Sequence, residues 1–150
     1  MSVRKLLSIT ATFCVVALCS PVFAAEDEGP RWDKGPVWVC SDVKTKYGHF
    51  DDYMKYLDSD WKSEQEAYKK AGRILDYKVF IINEPRNNEP DISLCQMVKN
   101  MAEFDRTTTD DYGFAKQIVG SLAKSNKEAS ERDSIRTIMG TTTLREATLK

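Results

Sequence analysis

Apolar residues recur along the chain with two different spacings, and each spacing predicts an element. The segment that begins at Pro36 alternates between two faces, with Val37, Val39 and Val43 on one of them, so this period of two residues predicts a first strand. Across residues 50–71 apolar side chains recur every three or four positions, which predicts one long helix with a single apolar face.

The middle and the end of the chain add two strands, a helix and a last strand. Residues 77–82 are apolar with little interruption, which predicts a strand buried on both faces. Residues 83–91 hold two prolines and adjacent asparagines and predict a turn into a strand from Ile92. Residues 112–129 predict one helix, and the β-branched run after Gly140 predicts a final strand.

This order of elements predicts an α+β fold of the ferredoxin-like βαββαβ type. Its four-stranded antiparallel sheet has the first and third strands in the centre and helices on one face. The opposite face, which carries Trp38 and Met97, stays open to water unless something covers it. A second copy of the chain is the simplest cover, so we expect a homodimer that packs sheet to sheet.

The first 24 residues have the pattern of a secretory signal peptide. Two basic residues precede an apolar run, and small residues lead to an expected cleavage site after Ala24. A short membrane anchor is the competing interpretation, but a run of roughly 14 residues is shorter than a bilayer requires. Residues 25–35 predict a flexible leader, and residues 36–150 predict the folded domain. We therefore expect a periplasmic or secreted protein without a stable membrane anchor after signal removal.

Charge and cysteine content narrow the class of protein. Removal of the signal takes two basic residues and no acidic one, so the net charge falls from −1 to −3, which argues against nucleic acid as a partner. Of the four cysteines, Cys40 and Cys95 reach an oxidising compartment. They fall on the non-helical face of neighbouring strands, where either a disulfide or two buried thiols is an ordinary outcome.

Several short segments resemble a known family. They are W-K-x-x-x-E-A-x-K-K-A-G, L-D-Y-K-V, a P-R and P-D turn, and K-N-M-A-x-F-D, and the likeness covers roughly residues 36–105. These segments resemble an uncharacterised exported bacterial subgroup of the dimeric α/β-barrel superfamily, in which two ferredoxin-like subunits pack sheet against sheet. The superfamily includes cofactor-free monooxygenases, isomerases and haem-degrading enzymes, so the resemblance implies a fold and no settled reaction.

Six side chains are candidates for a ligand pocket. They are Trp38, Trp61, Tyr77, Met97, Asn100 and Phe104. The apolar ones are candidates for a pocket between the sheet and its helices, where members of this superfamily hold small molecules, although core or interface packing is the more ordinary role of large aromatic residues. Asn100 either offers a hydrogen bond to a ligand or caps a helix.

The remaining candidate residues point away from metal and cofactor chemistry. His49 is the only histidine, it has no partner that the sequence places beside it, and the second predicted helix holds no haem ligand. We therefore predict neither a metal site nor a cofactor. Asp42 needs a partner if it is buried on its strand. The candidate partners are Lys44, Lys99 and Arg145.

These patterns predict an exported homodimer that binds a small apolar organic molecule, as a cofactor-free oxygenase or isomerase. The alternative is a non-enzymatic envelope protein that acts through protein–protein interaction. It is favoured because the sequence holds no complete catalytic constellation, and the catalytic residues stay unassigned.

Overall fold

The computed structural model describes residues 29–150, so the predicted signal peptide and its cleavage site after Ala24 lie outside the described residues. The elements in chain order are β1 (Trp32–Thr45), α1 (Phe50–Tyr56), a π-helical turn (Leu57–Trp61), α2 (Lys62–Lys70), β2 (Asp76–Ile81), β3 (Ile92–Val98), a 3₁₀ helix (Met101–Phe104), α3 (Thr108–Val119), α4 (Leu122–Arg132) and β4 (Arg136–Leu149). Within this part of the chain, every helix is too short or too polar to cross a membrane.

The four strands form one open antiparallel sheet, and the prediction of an α+β fold with such a sheet is confirmed. The strand order is β2-β3-β1-β4, so β1 and β3 lie in the centre and β2 and β4 are the edges. The segments α1, the π-helical turn and α2 follow one another without a break and form the long first helix that the apolar spacing predicts. Gly72 ends it with a φ of 71°, a conformation that suits glycine.

The main core lies between this helix and one face of the sheet. Its buried side chains are Val43, Tyr53, Leu57, Trp61 and Ile92. A second small cluster of Val37, Ile74 and Val98 continues it along the sheet. The main cluster arises because the period of two in the strands and the three-and-four spacing in the helix each gather apolar side chains on one side. In the second cluster, Ile74 from the connection between α2 and β2 covers Val37 and Val98 of the two central strands.

The opposite face of the sheet carries the cysteines and Asp42. Cys40 lies directly across from Cys95, and the two are joined by a disulfide. The hydroxyl of Ser93 donates a hydrogen bond to Asp42 Oδ1 at 2.8 Å. Asp42 therefore has a hydroxyl partner rather than one of the basic candidates, since Ser93 stands opposite it in the strand register whereas Arg145 stands opposite Val37.

The predicted start of the first strand at Pro36 is wrong. β1 begins at Trp32, inside the segment expected as a flexible leader, and its first residues pair with the end of β4. Backbone hydrogen bonds to β4 hold these residues in the strand. They have no buried apolar face, so the sequence pattern could not reveal this extension. Gly35 lies at a register shift, where a Cβ atom would stand 2.8 Å from the Cβ of Glu146.

Two further predictions are corrected. β2 is an edge strand rather than one buried on both faces, since Phe80 and Ile81 are about half exposed. The single helix predicted over residues 112–129 is two helices, α3 and α4. Gly120 separates them with a φ of 93°, and the Ser121 side chain caps α4 by accepting a hydrogen bond from a backbone N–H.

Candidate functional site

Trp61 and Tyr77 meet at an open cavity of about 180 Å³ between the first helix and β2. The lining residues are Met54, Leu57, Asp58, Trp61, Lys62, Tyr77 and Val79. The rings of Trp61 and Tyr77 are edge to face, with centroids 5.4 Å apart and planes at 84°. Trp61 is 8 % exposed, so this aromatic pair forms a fixed corner of the cavity rather than a mobile flap.

A π-helical turn sets the position of Trp61. The N–H of Lys62 donates to the carbonyl of Leu57, five residues back, where an α-helix would bond four residues back. Leu57 and Trp61 are both buried at the two ends of this turn. Such turns are rare inside helices and occur frequently at functional sites, so the turn marks this part of the helix as a candidate site.

The wall of the cavity is held by polar contacts on its outer side. The hydroxyl of Tyr77 donates to Glu66 Oε1 at 2.5 Å. This hydrogen bond, with a smaller contribution from burial, raises the pKa of Tyr77 to about 12. Lys69 pairs with Asp76 at 2.9 Å and lies 5.9 Å from the centre of the Tyr77 ring. Tyr77 therefore stays protonated at neutral pH and keeps its ring against the cavity.

The rim carries the two charged lining residues. Lys62 Nζ and Asp58 Oδ1 are 3.0 Å apart, and both side chains are mostly exposed. An exposed pair of this kind contributes little to stability, because water and ions screen it. The cavity thus has an apolar floor and an exposed charged rim, an arrangement that suits an apolar molecule entering from solvent.

A hydrogen-bonded pair of amide side chains lies beside the cavity, and the sequence pattern did not predict it. Gln96 Nε2 donates to Gln65 Oε1 at 2.5 Å, and Gln65 is only 2 % exposed. Gln96 stands opposite Tyr77 in the strand register. Gln65 follows Trp61 by four positions and therefore lies on the buried face of the helix. A polar residue at such a position is the feature of the sequence that could have indicated a hydrogen bond there.

Trp38 and Met97 do not join this cavity. They are neighbours on the other face of the sheet, where the indole N–H of Trp38 donates to Glu146 Oε1 at 2.6 Å. The sheet therefore separates them from Trp61, and the prediction of one cluster that includes all six candidates is wrong. The alternation along β1 causes the separation, since Trp38 follows the buried Val37 and so points the opposite way.

The other two pocket candidates lie in the connection after β3. Asn100 Oδ1 accepts a hydrogen bond from the N–H of Ala102 at 2.9 Å and so caps the 3₁₀ helix. Phe104 is half exposed at the end of that helix. Asn100 and Phe104 thus belong to the two ends of the 3₁₀ helix, and neither residue lines the cavity beside Trp61.

His49 makes a local contact at the start of α1. Its Nδ1 lies 3.2 Å from Asp52 Oδ2, and this hydrogen bond is the main reason that the pKa of Asp52 is lowered. Both side chains are about half exposed. Among residues 29–150 no group of three histidine, cysteine or acidic side chains is placed to hold a metal ion.

Two of the six candidate residues, Trp61 and Tyr77, thus meet at one cavity. Comparisons of this chain with protein-family models, with curated proteins and with solved structures found no match.

Proposed function

We propose that the protein is an exported homodimer that binds a small, largely apolar organic molecule in the Trp61 cavity. The observation that carries the proposal is the aromatic corner of Trp61 and Tyr77, which a π-helical turn and the hydrogen bond to Glu66 hold open toward solvent. Apolar clefts with a few polar groups at one end are the usual form of small-molecule sites.

The size of the cavity indicates the size of the ligand. An apolar cavity of about 150 Å³ takes up benzene in other proteins, and this cavity measures about 180 Å³. One aromatic or alicyclic ring therefore fits. Burial of about 150 Å² of apolar surface is worth at most about 4 kcal/mol, which corresponds to a dissociation constant on the order of 1 mM for an unsubstituted ring. A physiological ligand binds more tightly if it also contacts the rim.

The architecture supports a ferredoxin-like assignment and a dimer that packs sheet to sheet. The order of elements and the strand order β2-β3-β1-β4 both fit that fold. On the sheet face away from the helices, Leu144, Trp38 and Met97 form an apolar row across three strands. Leu144 is about half exposed, so the row offers surface that a second copy can cover.

The same row favours the second candidate function, a non-enzymatic envelope protein that acts through protein–protein contacts. Under the first candidate, the cavity holds the substrate of a cofactor-free oxygenase or isomerase. The two candidates differ in one measurable respect: only the first requires a molecule to enter the Trp61 cavity.

Fluorobenzene is a suitable probe of that cavity, because its ¹⁹F relaxation rate rises when the ring is bound. We expect enhanced relaxation with the wild-type protein and its loss in Val79→Phe, which fills the cavity from β2. Ile81→Phe is the matched control, since it introduces the same side chain on the same strand at a half-exposed position outside the lining. No enhancement with the wild type, or equal enhancement with both variants, would refute binding in this cavity.

The dimer has its own test. Leu144→Asp places charge in the middle of the proposed interface, so we expect native mass spectra to show half as many subunits per assembly as the wild type has. A wild-type protein that is monomeric at micromolar concentration would contradict the sheet-to-sheet dimer without affecting the ligand proposal.

A further inference from the structure

The free edge of β4 has the properties of an interaction surface. β4 is 14 residues long, its only neighbour among the described residues is β1, and every one of its residues after Arg136 is exposed. Residues 137–144 contain no charged residue and no proline. Natural proteins protect edge strands with charges, prolines or a covering element, because unpaired backbone groups bind other strands. This stretch carries no such protection, so it is suited to pairing.

The strand register shows which backbone groups face outward. Cys40 and Cys95 have Cα atoms 4.0 Å apart, the close spacing of a pair that exchanges no backbone hydrogen bonds, so the backbone groups of Cys40 point to β4. Thr142, opposite Cys40, points back toward β1. Since direction alternates along a strand, Thr141 and Thr143 present their N–H and C=O groups to the free edge.

A backbone hydrogen bond at the end of β4 agrees with this assignment. The N–H of Lys150 donates to the carbonyl of Arg31, so an even-numbered residue at the end of β4 points toward β1. The backbone N–H and C=O groups of the odd-numbered residues between Gly140 and Lys150 therefore point away from β1, toward the free edge. Arg145 and Ala147 continue the outward row that Thr141 and Thr143 begin.

We propose that this edge pairs with the β4 edge of a second copy of the chain, antiparallel across a two-fold axis, to form a continuous eight-stranded sheet. With the axis at Thr143, that residue faces its own copy and Arg145 faces Thr141 of the second copy. The three facing positions exchange about six backbone hydrogen bonds. The proposal depends neither on the Trp61 cavity nor on the Trp38 face, which is the sheet face away from the helices that carries Leu144, Trp38 and Met97.

The charge pattern of β4 explains why a second copy fits better than an unrelated strand. If the axis lay at Arg145 or Glu146, two like charges would stand directly opposite each other, which destabilises strand pairing. An axis anywhere from Thr141 to Leu144 avoids both clashes and places the charge-free stretch at the centre. β4 can therefore pair with its own copy over residues 137–144, the stretch that has no charge or proline to prevent strand pairing.

Hydrogen exchange at single amides tests the pairing directly. With a free edge, the amides of Thr141, Thr143 and Arg145 exchange at least 100-fold faster than those of Thr142 and Leu144. With a paired edge, we expect this alternation to vanish at about 100 μM protein, because all five amides are then hydrogen bonded. Alternation that persists at that concentration, in a monomer or in a dimer that uses the Trp38 face, would overturn the proposal.

A pair of variants at Thr143 provides a second measurement. Thr143→Pro removes an N–H that β1 does not use, so the chain keeps its fold but loses the central hydrogen bonds of the proposed edge. Thr143→Val keeps the N–H and is the matched control. We expect association, measured by sedimentation of the whole protein, to weaken at least tenfold in the first variant and to stay within twofold in the second. Equal association of both variants would contradict edge pairing.

Discussion

Loss of the Cys40–Cys95 disulfide is the perturbation whose effect on stability the structure defines best. The two cysteines face each other on the central strands β1 and β3, so the bond joins segments that are already paired in the folded state. In the unfolded chain the same bond closes a loop between residues 55 positions apart. Its main effect is therefore to restrict the unfolded chain.

The loss of unfolding free energy on removal of the disulfide follows from the length of the loop that it closes. In the chain-entropy model, a loop of this size restricts the unfolded state by about 4 kcal/mol at 25 °C. Typical domains have an unfolding free energy of only about 5–15 kcal/mol. For a domain of this size, a loss of about 4 kcal/mol lowers the melting temperature by about 15 °C.

The assay is urea unfolding of the wild type and of Cys40→Ala/Cys95→Ala, each with and without a reductant. We expect the wild type in reductant and the double variant to unfold at similar, much lower urea concentrations, while reductant leaves the double variant unchanged. A change of less than about 1 kcal/mol in the unfolding free energy of the wild type on complete reduction, verified by mass spectrometry, would refute a stabilising role of the disulfide.

Three further predictions concern the cavity region and the helix break. Gln65→Leu should cost about 1–3 kcal/mol of unfolding free energy because it leaves the Gln96 amide unpaired, whereas replacing both residues by leucine should be nearly neutral in a denaturation cycle. The pKa of Tyr77 is raised from 10.0 to about 12, so the stability that its bond to Glu66 provides is present below pH 10 and is lost as the pH rises through 12. Glu66→Gln should lower that pKa, as seen in the Tyr77 Cζ chemical shift, and an unchanged value would refute the assignment. Gly120→Ala should destabilise by about 1–3 kcal/mol in thermal unfolding, because a φ of 93° strains a residue with a side chain.

Much of the fold is readable in the sequence because β1 and the first helix are strongly periodic. The boundary of β1 is not readable, because residues 32–34 pair through backbone groups and bury no side chains. The position of β2 at an edge is also hidden. Its side chains are apolar on both faces, and apolarity does not report which strand lies next to which. At Gly120 the signal was present, since a glycine followed by Ser121 is typical of a helix end and a new helix start.

The candidate site was predictable in part. Trp61 and Tyr77 were identifiable as large aromatic residues on neighbouring elements, and they meet at the cavity. The π-helical turn was not identifiable, because its hydrogen bond between positions five apart leaves no simple residue signature. Trp38 and Met97 were assigned to the cavity on residue type alone, although the alternation along β1 already placed Trp38 on the other face.

Indole N–H signals locate a bound ring most directly, because the chain contains three tryptophans in three different surroundings. Trp61 lines the cavity, Trp38 lies on the opposite face, and Trp32 lies at the exposed start of β1. In ¹H–¹⁵N spectra recorded during a titration with fluorobenzene, we expect a saturable shift of the Trp61 signal while the other two stay in place. A titration that leaves Trp61 unmoved, or that moves Trp38 instead, would contradict the central claim that this cavity binds a small apolar molecule.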